Sequence, residues 1–101
     1  SPQLHNKLAK THLITREYNK AKVILNRSLH YYPMFHSTLA SLGELYFDLG
    51  KIEKSRTFYE RAIKINPFNP FVHMRLITIY QKLGWKKEKA LQVKLAGYIN
   101  H

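Results

Sequence analysis

The chain repeats itself at an offset of 34 residues. Residues 36–67 laid on 70–101 pair Leu42 with Leu76, Tyr46 with Tyr80, Leu49 with Leu83, Gly50 with Gly84, Ala62 with Ala96, Ile65 with Ile99 and Asn66 with Asn100. The same offset lays the first third on the second more weakly, through Leu8/Leu42, Lys20/Lys54, Arg27/Arg61 and Pro33/Pro67. Ala9/Gly43, Ala21/Ser55, Leu25/Tyr59, Ser28/Ala62 and Leu29/Ile63 are chemically alike. A fixed period of roughly 20 to 50 residues is the mark of an array in which each supersecondary unit buries its apolar face against its neighbours. The period implies one domain of three units, 2–35, 36–69 and 70–101.

Each unit reads as two helices. Leu39, Leu42, Leu45, Tyr46 and Leu49 recur at three- and four-residue steps, one face of a helix. Gly50 suits the left-handed residue that ends it. Ser55, Phe58, Tyr59, Ala62, Ile63 and Ile65 carry a second helix, which Asn66-Pro67 stops, because Pro neither donates the next hydrogen bond nor leaves its predecessor helical. Asn69-Pro70 is an N-cap followed by Pro in the first turn. The spacing predicts helices over 3–14, 19–31, 36–49, 53–65, 70–83 and 87–99.

On these residues the middle unit resembles the tetratricopeptide repeat: Leu39, Leu42-Gly43, Tyr46, Ser55, Tyr59, Ala62 and Pro67 fall at the family's positions, with only the first aromatic replaced. The third unit is similar through Leu76, Tyr80, Gly84, Ala96 and Ile99, with His73 at the first aromatic position and Ile77 at a small one. The first is similar through Leu8-Ala9, Ala21, Leu25, Ser28 and Pro33. Arg16 at the turn position of Gly50 and Gly84, Lys89 at that of Ser55 and His12 at that of Tyr46 depart from the pattern, so packing is expected to deviate in the first unit and the last helix pair. The resemblance implies an all-α fold, a right-handed α-solenoid of three repeats. Leu91, Val93, Leu95, Tyr98 and Ile99 on the last helix leave an apolar end, open to a neighbouring domain or to self-association.

Composition narrows the chemistry. The 101 residues include no Cys, which excludes disulfides, thiolate metal sites and Cys nucleophiles, and no apolar run approaches a membrane span. The chain opens Ser1-Pro2-Gln3 without a signal or transit pattern, and is expected to be a piece of a longer protein; no segment assigns a compartment beyond a cytoplasmic default. His5, His12, His30, His36, His73 and His101 form no paired-histidine metal motif, and no nucleophile elbow or phosphate-cradling loop is present. A noncatalytic module without metal or cofactor is expected.

The resemblance implies that the first helices line a concave groove holding a short segment of a partner protein. The residues expected there are Asn6, Lys10 and Ile14, then Ser37, Ser41, Glu44 and Asp48, then Phe71, Met74, Arg75, Thr78 and Lys82. The family's chaperone-binding members hold a terminal carboxylate with a Lys/Asn/Asn/Lys/Arg set. Here Asn6 and Lys10 stand in inverted order, Ser41 and Phe71 replace two ligands, and only Arg75 is in place. Lys10 and Arg75 beside Glu44 and Asp48 suit a mixed-charge or amphipathic segment, with Phe71 and Met74 as an apolar anchor. The alternative is electrostatic. The net charge of +11 divides by unit as +5, +1 and +5. Lys20 and Arg27 on one second helix, and Lys54 and Arg61 on the next, would stack as a basic ladder for nucleic acid or anionic membrane, extended by Lys86, Lys87 and Lys89 near Trp85.

Overall fold

The computed structural model of the chain describes residues 1–99. His101 and the pairing of Asn66 with Asn100 lie outside the described residues. Six helices follow one another: α1 (Pro2–Ile14), α2 (Tyr18–Tyr31), α3 (His36–Asp48), α4 (Ile52–Ile65), α5 (Pro70–Leu83) and α6 (Lys86–Ile99). Consecutive helices pack throughout, and α1 also reaches α3, so each hairpin leans on the next. The result is an all-α solenoid whose helices begin and end within a residue of the positions the spacing predicts.

One turn, used three times, makes the hairpins. The N–H of Glu17 donates to the carbonyl of His12, that of Lys51 to Tyr46 and that of Trp85 to Tyr80, at 2.7, 2.8 and 2.9 Å. The N–H groups of Arg16, Gly50 and Gly84 close the inner bonds to Leu13, Phe47 and Gln81. This paired bonding satisfies carbonyls a helix end would otherwise leave bare, and it requires a left-handed residue between. Gly50 and Gly84 supply φ of 75° and 72°; Arg16 adopts 62° despite its side chain. The junctions between units differ. There Tyr32 and Asn66 close on Ser28 and Ala62, and the prolines that follow divert the chain into the next helix. At the second junction Asn69 caps α5, its Oδ1 accepting from the N–H groups of Phe71 and Val72.

Packing is tightest in the middle hairpin. Gly43 lies under the ring of Tyr59, so close that a Cβ there would stand 2.7 Å from it. Beside it the buried Ser55 hydroxyl donates to the Gly43 carbonyl at 2.7 Å. The first hairpin repeats the scheme with Ala9, Ala21 and Leu25 fully buried, so the deviation expected in the first unit does not reach its core; small residues still stand at the contact. The last hairpin does loosen: Val93, at the position of Tyr59, is half exposed, and Leu91 and Tyr98 are open. His73 compensates. Buried at the first-aromatic position, its Nε2 donates to the Pro67 carbonyl and its Nδ1 meets the Gln92 side chain, both at 2.6 Å, tying the third unit to the second junction and to α6.

Gly43→Ala should therefore lower unfolding free energy by roughly 1–3 kcal/mol through overpacking against Tyr59. Gly97→Ala, with open space around a Cβ, should raise it by about 0.5–1 kcal/mol. Urea denaturation of the two variants measures both.

Candidate functional site

Three first helices enclose a concavity. One part, of about 270 Å³, is lined by Lys10, Leu13 and Ile14 of α1, Glu44 of α3 and Phe71 of α5. A second part, of about 200 Å³, shares Lys10, Glu44 and Phe71 and adds Ser37, Ala40, Ser41 and Asn69. Lys10, Ile14, Ser37, Glu44 and Phe71 are thus brought together as the groove reading requires. Leu13, Ala40 and Asn69 join them unforeseen.

Other expected groove residues are committed within the fold or stand elsewhere. Asn6 and Ser41 are buried, at 7% and 2% exposure, and the Ser41 hydroxyl donates to Asn6 Oδ1 at 2.6 Å. They lock the first unit to the second, so their polar atoms are not free for a partner. Arg75 is corrected as well: its half-buried guanidinium lies 4.3 Å from the Phe47 ring centre and 5.0 Å from that of Phe71, a packing cation rather than an outward charge. Asp48 borders a separate depression with Leu13, Ile14, Arg16 and Tyr18. Met74, Thr78 and Lys82 are exposed on α5 but do not line the concavity.

Beneath the groove the polar groups are under-satisfied. Tyr59 Oη and Arg75 Nε are buried and meet no hydrogen-bond partner among the described residues. Burial pushes the Tyr59 phenol well above its usual range, Arg75 pulling it back and Glu44 and Asp48 adding to the rise. The Glu44 carboxyl is also raised, first by burial and then by Asp48 one turn on, against the pull of Arg75 and Lys10. Tyr59 reads from sequence as a packing ring only; nothing in the repeat pattern says where its hydroxyl ends.

The four ladder cations fare unevenly. Lys20 pairs with Glu17 at 2.9 Å, Lys54 lies 4.7 Å over the Tyr46 ring and Arg61 lies 5.4 Å from the Phe58 ring centre. Their helices α2 and α4 both pack on α3, which stands between them in the array. Trp85, near Lys86, Lys87 and Lys89 in the sequence, is engaged internally. It stacks on Tyr80 at 5.9 Å, with the Arg56 guanidinium 4.7 Å from its ring centre.

Residues 36–69 match the family model of the tetratricopeptide repeat. The middle unit is a tetratricopeptide repeat. The whole array has the corresponding fold: it superimposes on the crystal structure of MamA with a TM-score of 0.89, over 99% of this chain and 58% of that one, at 21% identity. It superimposes on PilF of Pseudomonas aeruginosa with a TM-score of 0.90, over 98% of this chain and 46% of that one, at 15% identity. The chain thus spans about half the length of these two structures. No curated protein matches it in sequence. Tetratricopeptide repeats generally build scaffolds for protein interaction, and the middle unit of this chain carries that repeat.

Two outcomes follow for this array. Ser41→Ala leaves Asn6 buried with one partner fewer, and should cost about 1–3 kcal/mol of stability in chemical denaturation. Folding raises the Glu44 pKa, so the folded protein holds that proton more tightly than the unfolded chain. The residue's contribution to stability is greatest at low pH and declines as pH rises through the raised value. Glu44→Gln should melt above wild type at neutral pH, and thermal scans should show the gap closing as pH falls through the ordinary carboxyl value of 4.5.

Proposed function

We propose that the chain is a noncatalytic interaction module that holds a short amphipathic segment of a partner protein in the concavity between α1, α3 and α5. The observation that supports this reading is one concavity to which all three units contribute. It has an apolar floor of Leu13, Ile14 and Phe71, a cation at Lys10 and a half-buried carboxylate at Glu44. An apolar side chain of the segment fills the floor, and charges of opposite sign on either side of it meet Lys10 and Glu44. The basic platform on the second helices has less support, since Lys20 is paired with Glu17, Lys54 lies over the Tyr46 ring, and α2 and α4 both pack on α3 rather than forming one continuous ladder.

Selection of peptides from a random displayed library against the whole chain tests the groove directly. Enriched peptides should combine an apolar anchor with flanking charge. Phe71→Ala should weaken their binding by about 2 kcal/mol, roughly thirtyfold, as removal of a central anchor does. Lys10→Glu should weaken it several-fold by fluorescence anisotropy. Peptides that bind wild type and Phe71→Ala equally would remove the groove assignment.

A further inference from the structure

The helix directions sort the charges of this chain onto two opposite edges. The turns inside the hairpins, at Arg16, Gly50 and Gly84, lie along one edge, and the junctions between units, Tyr32–Phe35 and Asn66–Asn69, lie along the other. Four of the six carboxylates, Glu17, Asp48, Glu53 and Glu88, stand within four residues of a hairpin turn, while Glu44 and Glu60 stand mid-helix. No Asp or Glu occurs from Tyr18 to Gly43 or from Arg61 to Lys87, the two stretches that contain the junctions. The junction edge is therefore free of acid. It carries Arg27, Arg61 and Lys64, all exposed and none in an ion pair among the described residues.

The same edge presents apolar side chains to solvent at its most protruding points. Met34 and Phe68 occupy the same position in successive junctions, 34 residues apart, and are 70% and 73% exposed. Tyr31 and Tyr32 are exposed beside Met34. These tips are held by their turns. The Phe35 N–H donates to the Tyr32 carbonyl at 3.2 Å across the first junction, and the Phe68 N–H donates to Asn66 Oδ1 at 3.2 Å in the second. The side-chain oxygens of Asn66 and Asn69 are both engaged in these turns.

We propose that the junction edge docks on an anionic lipid bilayer. Met34 and Phe68 enter the boundary between headgroups and acyl chains, Tyr31 and Tyr32 lie at the headgroup level, and Arg27, Arg61 and Lys64 face the lipid phosphates and carboxylates. The match is one of charge and shape: a row of cations without a competing acid, set around apolar tips that recur once per unit, against a surface that is anionic outside and apolar beneath. The second junction borders the concavity at Asn69, but Met34, Phe68, Arg27, Arg61 and Lys64 do not line it, so the two readings rest on different side chains and either can fail alone.

Co-sedimentation of the whole chain with vesicles at physiological salt tests the proposal. Vesicles of phosphatidylcholine and phosphatidylserine at about 3:1 should bind it, and phosphatidylcholine alone should not. The paired change Met34→Ser with Phe68→Ser should lower binding about tenfold or more while leaving the circular-dichroism melt unchanged, because both side chains lie outside the core. Two variants of equal net charge separate a docked edge from general attraction: Arg27→Gln with Lys64→Gln should weaken binding more than Lys86→Gln with Lys87→Gln at the hairpin edge. A tryptophan placed by Phe68→Trp should be quenched by brominated acyl chains, while Trp85, at the hairpin edge, should not. Absence of binding to the mixed vesicles, indifference to the Met34 and Phe68 changes, or equal effects of the two glutamine pairs would each overturn the proposal. So would vesicle indifference combined with oligothymidylate binding that falls with the Met34 and Phe68 changes, which would give the edge to nucleic acid instead.

Discussion

The seating of the Tyr59 ring on the bare backbone of Gly43 governs the rest of this array. It brings α3 and α4 together closely enough for Ser55 to bond the Gly43 carbonyl, which no side chain larger than hydrogen at position 43 would permit. Close approach on that side sets how α3 presents its other faces. One carries Ser41 to Asn6 of the first unit, and another carries Glu44 into the concavity with Lys10 and Phe71. Tyr59 also ends in a buried polar group. Its ring fills the hairpin, and its hydroxyl ends, without a partner, within the electrostatic reach of Arg75, Glu44 and Asp48.

The parts of this fold legible in the sequence are those decided within one unit. Gly50 and Gly84 mark their turns because only a left-handed residue completes the paired bonds there, and Asn69-Pro70 marks a helix start because the side chain and the ring each suit the first turn. Small residues at 9, 21, 43 and 55 likewise announce where helices touch. What escaped the sequence is decided between units. Asn6 and Ser41 look like outward positions on their own helices, and only the stacking of α1 on α3 turns them toward each other. Arg75 looks like a groove cation until Phe47 of the second unit and Phe71 of the third close on its guanidinium. The concavity could be foreseen as a place, and several of its residues with it, but not which polar groups would remain free to use it.

Charge shows the same division. The net +11 is a bulk property that says the chain attracts polyanions and nothing about where. Once helix direction is known, the six carboxylates are seen to gather toward the hairpin edge and the mid-helix faces, where they neutralise Lys20 and Arg56. Thr15, Lys20 and His12 all serve Glu17, holding its carboxyl at about 2. The opposite edge keeps its cations uncompensated.

Arg16 sets the first hairpin apart from the other two. A side chain in the left-handed region costs about 1–2 kcal/mol that glycine avoids, so of the three hairpins the first holds its turn against an intrinsic bias to open. Lys10, Leu13 and Ile14 belong to that hairpin, whereas Phe71 on the far wall stands on a helix whose start is capped by Asn69 and whose end is closed by Gly84. The two walls are therefore closed by unlike turns: the α5 wall ends in a glycine that takes the left-handed conformation freely, and the α1 wall ends beside an arginine held in it, with His12, Thr15 and Lys20 all gathered on the Glu17 carboxylate next to it.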